Sequence, residues 1–191
     1  MILSATLPGS GDCSPGGIDL PAMGRDYGSV ARLLDETEGE SAMPKSLGWK
    51  RFDHYSIAVP DAEKTIAFHQ KLFGMAENHP FTSGDEGFTG AVLDMPKKQG
   101  QIEILEPHGD DSFLHKFLER NGPGVHHVTI EVDDIEQAAA FLREEMGIEP
   151  YRGIWSDGEW KQTFIHPRDS GGVLYQLFEW EEGKRPKGLP E

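Results

Sequence analysis

The chain has 191 residues, enough for one ordinary domain or for two small modules sharing a core. With 33 acidic and 18 basic side chains its net charge is −15, and no Lys/Arg cluster of useful length offsets it, which argues against nucleic acid as a partner. The single cysteine, Cys13, excludes a disulfide scaffold within the chain; with no 18-residue apolar run and no basic, apolar leader, the expectation is a soluble cytoplasmic protein without a membrane partner.

Residues 1–48 are rich in Gly, Pro, Ser and acidic side chains and read as an N-terminal arm, either partly disordered or wrapping over the body. Its one helix-capable stretch is "DYGSVARLLDE", with Val30, Leu33 and Leu34 on one face. The pattern changes near residue 49. A shift of 73 positions lays "DHYSIAVPDAEKTIAFHQKLFGM" over "HHVTIEVDDIEQAAAFLREEMGI" and pairs His54 with His127, Ile57 with Ile130, Val59 with Val132, Asp61 with Asp134 and Gly74 with Gly147.

Each copy opens with a strand of period two and turns at an aspartate placed to cap a helix. It then runs through that helix and stops at a glycine suited to a helix C-terminus. Further strands follow: "GFTGAVLDM" and "GQIEILEP" in the first copy, "QTFIHP" and "GVLYQLFEW" in the second. The expected organisation is a first βαβββ module over 49–122, a second over 123–182 and a tail over 183–191. Neither module can close a core alone. Paired about a pseudo-twofold axis, they predict an α+β fold in which an open, cupped mixed sheet forms a half-closed barrel with helices outside.

The same shift carries Glu103 onto Gln176, so each histidine has a polar partner 49 residues further on. Strand alternation groups His54, Ser56 and Ala58 on one face, with His127, Thr129 and Glu131 on the matching face of the second copy. The apolar Tyr55, Ile57, Val59, Val128, Ile130 and Val132 point the other way, against the helices. Gln101 and Glu103 join the polar face; Gln176 shares its face with Leu174 and Phe178. The repeat therefore predicts a metal site of His54, Glu103, His127 and Gln176. Nitrogen and oxygen donors without sulfur suit a divalent Co, Mn, Ni, Fe or Zn ion with open positions for water or substrate.

The segments "DHYSIAVPD", "IEILEP", "HHVTIEVDD" and "HPRDSGGVLYQLFE" resemble the vicinal oxygen chelate superfamily, which includes glyoxalase I, extradiol dioxygenases, drug-binding resistance proteins and methylmalonyl-CoA epimerases. The resemblance covers residues 52–180. Around "FLERNGPGVHHVTIEVDD" and "HPRDSGGVL" it is most similar to the epimerase family. It implies a glyoxalase-like fold, the four ligands named above, and an isomerase that epimerises a methylmalonyl-CoA-like 2-acyl thioester through a metal-stabilised enolate. The substrate would be a small molecule such as an acyl-CoA, and a homodimer is compatible with the family.

One departure stands out. Epimerases of the family usually carry glutamate at the last ligand position, where this chain has Gln176, whose amide binds metal but takes no proton near neutral pH. Glu103 is then the one carboxylate available for proton transfer, with Glu131 and His126 as candidates for the opposite face. Lys116, Arg120, Lys161 and Arg168 are candidate contacts for coenzyme A, and Phe88, Trp155, Trp160 and Phe178 for an apolar ligand arm. A glyoxalase-type lyase, a non-haem iron dioxygenase and a non-catalytic resistance-type binder are the alternatives.

Overall fold

The computed structural model describes residues 46–83, 87–187 and 189. The helix expected in "DYGSVARLLDE" and most of the proposed arm lie outside them. Eight strands form one sheet: β1 (Trp49–Ala58), β2 (Ala76–Ser83), β3 (Phe88–Asp94), β4 (Gln101–Pro107), β5 (Gly124–Val132), β6 (Tyr151–Ser156), β7 (Trp160–Ile165) and β8 (Tyr175–Trp180). Helix α1 spans Ala62–Phe73, α2 Phe113–Asn121 and α3 Ile135–Glu144.

The strand order is β2-β3-β4-β1-β5-β8-β7-β6, and each copy of the repeat supplies one side of it. β1 and β5 meet antiparallel at the centre, while β4 lies parallel to β1 and β8 parallel to β5. β2 and β6 are the free edges, so the sheet is mixed and open. This is the α+β arrangement that the duplication implies.

The capping chemistry is repeated with the fold. Asp61 accepts from Lys64 N and Asp134 from Gln137 N, both at 2.9 Å, satisfying backbone donors that a helix leaves open in its first turn. A second pair of carboxylates does the same from the sheet: Glu106 receives Ala62 N at 2.6 Å, and Glu179 receives Ile135 N at 2.9 Å. Gly74 ends α1 in the left-handed region (φ 67°), as its sequence position predicts. α3 stops earlier, at Glu144; Gly147 (φ 64°) then turns the chain so that Ile148 N bonds Leu142 O at 2.8 Å.

Two apolar clusters hold α1 and α3 to one face of the sheet. Val59, Ala62, Leu93, Ile102 and Ile104 form one; Ile130, Val132, Ile135, Ala138, Leu142, Ile165 and Leu177 form the other. Burying each large aliphatic side chain contributes on the order of 1.5–3 kcal/mol. The chain spacing of the repeat is visible here too, since Val59, Ala62 and Ile104 occupy the places of Val132, Ile135 and Leu177.

Helix α2 lies on the other face of the sheet: it packs Leu114 against Ala58 and Leu105, which alternate onto the same face as Ser56 and Glu103. Its sequence lies between the repeats, where no copy exists to signal it. Ser112 caps it by accepting from Leu114 N.

Candidate metal centre

β1 pairs with β5 so that His54 faces Thr129 and Ser56 faces His127, and pairs with β4 so that Ser56 faces Glu103. The consequence is a polar cluster across the seam between the two modules. Ligand atoms of His54, Glu103 and His127 all lie within 4.8 Å of one another, a spacing that could hold a metal ion. His54 Nε2 is 3.7 Å and His127 Nε2 3.9 Å from Glu103 Oε2. All three are partly buried, with side-chain exposures of 17%, 11% and 20% for His54, His127 and Glu103.

Hydrogen bonds on the far side of each imidazole aim the near side inward. His54 Nδ1 lies 2.7 Å from Asp53 Oδ2, and His127 Nδ1 lies 2.8 Å from His126 Nδ1, so in both rings Nε2 is the nitrogen turned to the centre. Ser56, fully buried, donates its hydroxyl to Glu103 Oε2 and stands 3.0 Å from His127 Nε2. Thr129 is its counterpart in the second module: its Oγ1 stands 3.0 Å from His54 Nε2 and donates to Gln176 Oε1 at 2.7 Å. Gln176 thus borders the trio through Thr129, its amide Nε2 donating to the buried Gln162.

The electrostatics of the two halves differ. Burial opposes a proton on His54, but the Asp53 hydrogen bond and the Glu103 and Asp53 charges outweigh it and raise its pKa above the ordinary imidazole value. For His127, burial comes first, and repulsion from His54 and His126 adds to it, so its pKa falls well below that value. Burial takes His126 down to about 4. The chemistry of the donor set, two inward imidazole nitrogens, a carboxylate and an adjacent amide oxygen, fits a divalent cation.

The other expected residues are spread more widely. Glu131 is buried on the polar face, but Arg51 Nε binds its Oε2 and Arg185 Nε its Oε1, so both oxygens are engaged. Alternation predicts that His126 turns away from His127, but its Nδ1 stays 2.8 Å from His127 Nδ1 while the ring packs against Phe113 and Phe117 on α2. Lys116 and Arg120 lie on α2, Lys161 on β7, and Arg168 in the short turn Pro167–Asp169, where it pairs with Asp169 at 3.0 Å. Trp160 and Phe178 join Trp180 in one aromatic group, Phe88 bridges Phe81 and Phe113, and Trp155 sits on β6 opposite Gln162. The sequence reading missed Asp53 and Arg51. The signal was there, as an "RFDH" run that puts an acid directly before the first histidine, but a register shift between Phe52 and His54 decides which face each residue takes.

A duplicated βαβββ sheet with two histidines and a carboxylate meeting across its seam defines a class of paired-module proteins with a candidate metal centre between the halves. Residues 53–164 match the Glyoxalase/Bleomycin resistance protein/Dioxygenase superfamily. The human mitochondrial methylmalonyl-CoA epimerase is 33% identical over 152 residues, covering 78% of this chain and 82% of the relative. The crystal structure of methylmalonyl-CoA epimerase from Mycobacterium tuberculosis superposes with a TM-score of 0.63 at 31% identity, covering 74% of this chain and 94% of that one. A methylmalonyl-CoA epimerase in complex with methylmalonyl-CoA and NH4+ gives 0.61 at 30% identity, covering 73% and 100%. This chain belongs to the Glyoxalase/Bleomycin resistance protein/Dioxygenase superfamily and, within it, to the methylmalonyl-CoA epimerase family.

Proposed function

We propose that the protein is a metal-dependent epimerase of a methylmalonyl-CoA-like 2-acyl thioester, with His54, Glu103, His127 and Gln176 as ligands of a divalent cation and Glu103 as the proton-transfer carboxylate. The observation that carries the reading is the convergence of two imidazole Nε2 atoms and one carboxylate oxygen across the module seam. The relatives support the substrate, since one solved structure holds methylmalonyl-CoA itself. Nitrogen and oxygen donors narrow the ion to Co, Mn, Ni, Fe or Zn. One cysteine suits the reducing cytoplasm.

When bound, the cation supplies Lewis-acid polarisation of the thioester carbonyl, which acidifies the neighbouring C–H. The chain's own residues do the rest. Ser56 fixes the orientation of Glu103, leaving the carboxylate to accept the α-proton on one face of the substrate. Thr129 and Gln162 together fix the Gln176 amide, with its oxygen toward Thr129 and its nitrogen toward Gln162. Both oxygens of Glu131 are held by arginines, so return of the proton on the opposite face is assigned to a different group.

The test is solvent deuterium incorporation at the α-carbon of methylmalonyl-CoA by cation-loaded protein. Exchange with inversion and without oxygen uptake is expected, and His127→Ala abolishes both cation binding and exchange. Substrate-dependent oxygen consumption, or undiminished exchange in metal-free protein, would overturn the reading.

A further inference from the structure

Behind His54 runs a chain of charged side chains that the proposed chemistry does not itself use. Asp53 Oδ2 holds His54 Nδ1 at 2.7 Å, Asp53 Oδ1 takes the Arg51 guanidinium, Arg51 Nε reaches Glu131 Oε2, and Arg185 Nε bonds Glu131 Oε1 at 2.8 Å. Lys50 Nζ adds a longer contact to Glu131 at 3.8 Å. The network is largely shielded: side-chain exposures are 2% for Glu131, 11% for Arg51 and 15% for Asp53.

The fold does not demand it. In the first module the place of Glu131 is taken by Ala58, which simply packs on Leu105 and Leu114. Nor is it an efficient source of stability, because desolvating several charges costs about as much as their attraction returns and an apolar replacement is often neutral or better. What the arrangement does provide is orientation. A lone carboxylate beside an imidazole can swing; here Asp53 has one oxygen on Arg51 and the other on His54, and Arg51 is itself pinned by Glu131. The His127 side has no such device, since its Nδ1 meets neutral His126.

We propose that Asp53 and Arg51 are positioning residues for the ligand His54, and that Arg185, from the segment following β8, is their distal anchor through Glu131. The proposal rests on the cation reading above. Asp53 keeps the His54 proton on Nδ1 and the Nε2 lone pair directed into the site; Arg51 keeps Asp53 in place; Arg185 keeps Glu131 from turning off Arg51. The C-terminal segment is thereby part of the support of the metal centre.

The experiment is Co2+ titration of the full chain, followed by visible absorption and calorimetry, for wild type and for Asp53→Ala, Asp53→Glu, Arg51→Met, Arg185→Met and the remote control Arg143→Met. Loss of such an outer hydrogen bond typically weakens metal affinity 10–100-fold. Asp53→Ala and Arg51→Met should fall in that range with an altered Co2+ spectrum. Asp53→Glu should recover part of the affinity, Arg185→Met should lose less than Arg51→Met, and the control should match wild type. Asp53→Ala and Asp53→Glu carry the decision should Arg51→Met not fold. Wild-type affinity and spectrum in folded Asp53→Ala, or a loss that Asp53→Glu leaves unrepaired, would overturn the proposal. Failure of wild type itself to bind Co2+ would instead sink the cation reading, so the two outcomes are separable.

Discussion

Glu103 and Gln176 occupy equivalent places in the two modules, yet one can take a proton and the other cannot. In the proposed site both donate an oxygen to the cation, so exchanging carboxylate for amide should separate binding from chemistry. Glu103→Gln is expected to keep the cation, because an amide oxygen replaces a carboxylate oxygen, and to lose α-proton exchange by on the order of 10²–10⁴-fold, the usual contribution of a positioned general base. Calorimetry for the cation and mass spectrometry for deuterium check the two halves of that statement. Loss of both together would make Glu103 a ligand alone. The Ser56 hydroxyl on Glu103 would then serve only to orient a metal-binding oxygen.

At the level of elements, the first strand and helix of each module were legible because two physical signals coincide there: period two gives way to helical spacing, and an aspartate marks the change. Their equal spacing also brought His54, Glu103 and His127 to one place without any structural knowledge. The edge strands β2 and β6 were not resolved as elements, since Ala76–Ser83 is mostly exposed and polar and Tyr151–Ser156 has only partial burial. α2 stayed hidden between the repeats, and the bulges of β1 stayed hidden because the register shift depends on the partner strand. Likewise, Glu106 and Glu179 cap helices from strands 44 residues away, a link that local motifs do not carry.

β3 holds a further constraint of this kind. A Cβ built on Gly90 would lie 1.7 Å from Ile104 O and 2.8 Å from its carbonyl carbon, both backbone atoms of β4. Neither can move without disturbing the strand that carries Glu103. Gly90→Ala should therefore destabilise by about 1–3 kcal/mol, the usual cost of overpacking a filled interior. Urea unfolding checks it, and a neutral result would mean that β3 and β4 separate more easily than their register suggests.

For the molecule as a whole, the proposed cation site lies on the seam where β1 meets β5, with two candidate ligands from each half. A cation held there ties the modules together only in the folded state. It should stabilise by RT ln(1 + [L]/Kd), about 2.7 kcal/mol at a hundredfold excess over Kd. For a body of this size that is a rise of roughly 5–10 °C in Tm. The gain depends on pH with a definite sign. His54 must be neutral to ligate, and its pKa stands above the ordinary 6.5, so protons begin to compete for it at a higher pH than for a free imidazole. In metal-free protein the same raised pKa favours the folded state below the unfolded value and loses that contribution as pH rises through the folded one. Both effects shrink the cation's advantage in acid. Thermal melts with and without Co2+ should thus diverge above the raised His54 value and converge as pH falls through it; a pH-independent gap, or a gap that survives in His54→Ala, would place the bound cation somewhere other than the seam.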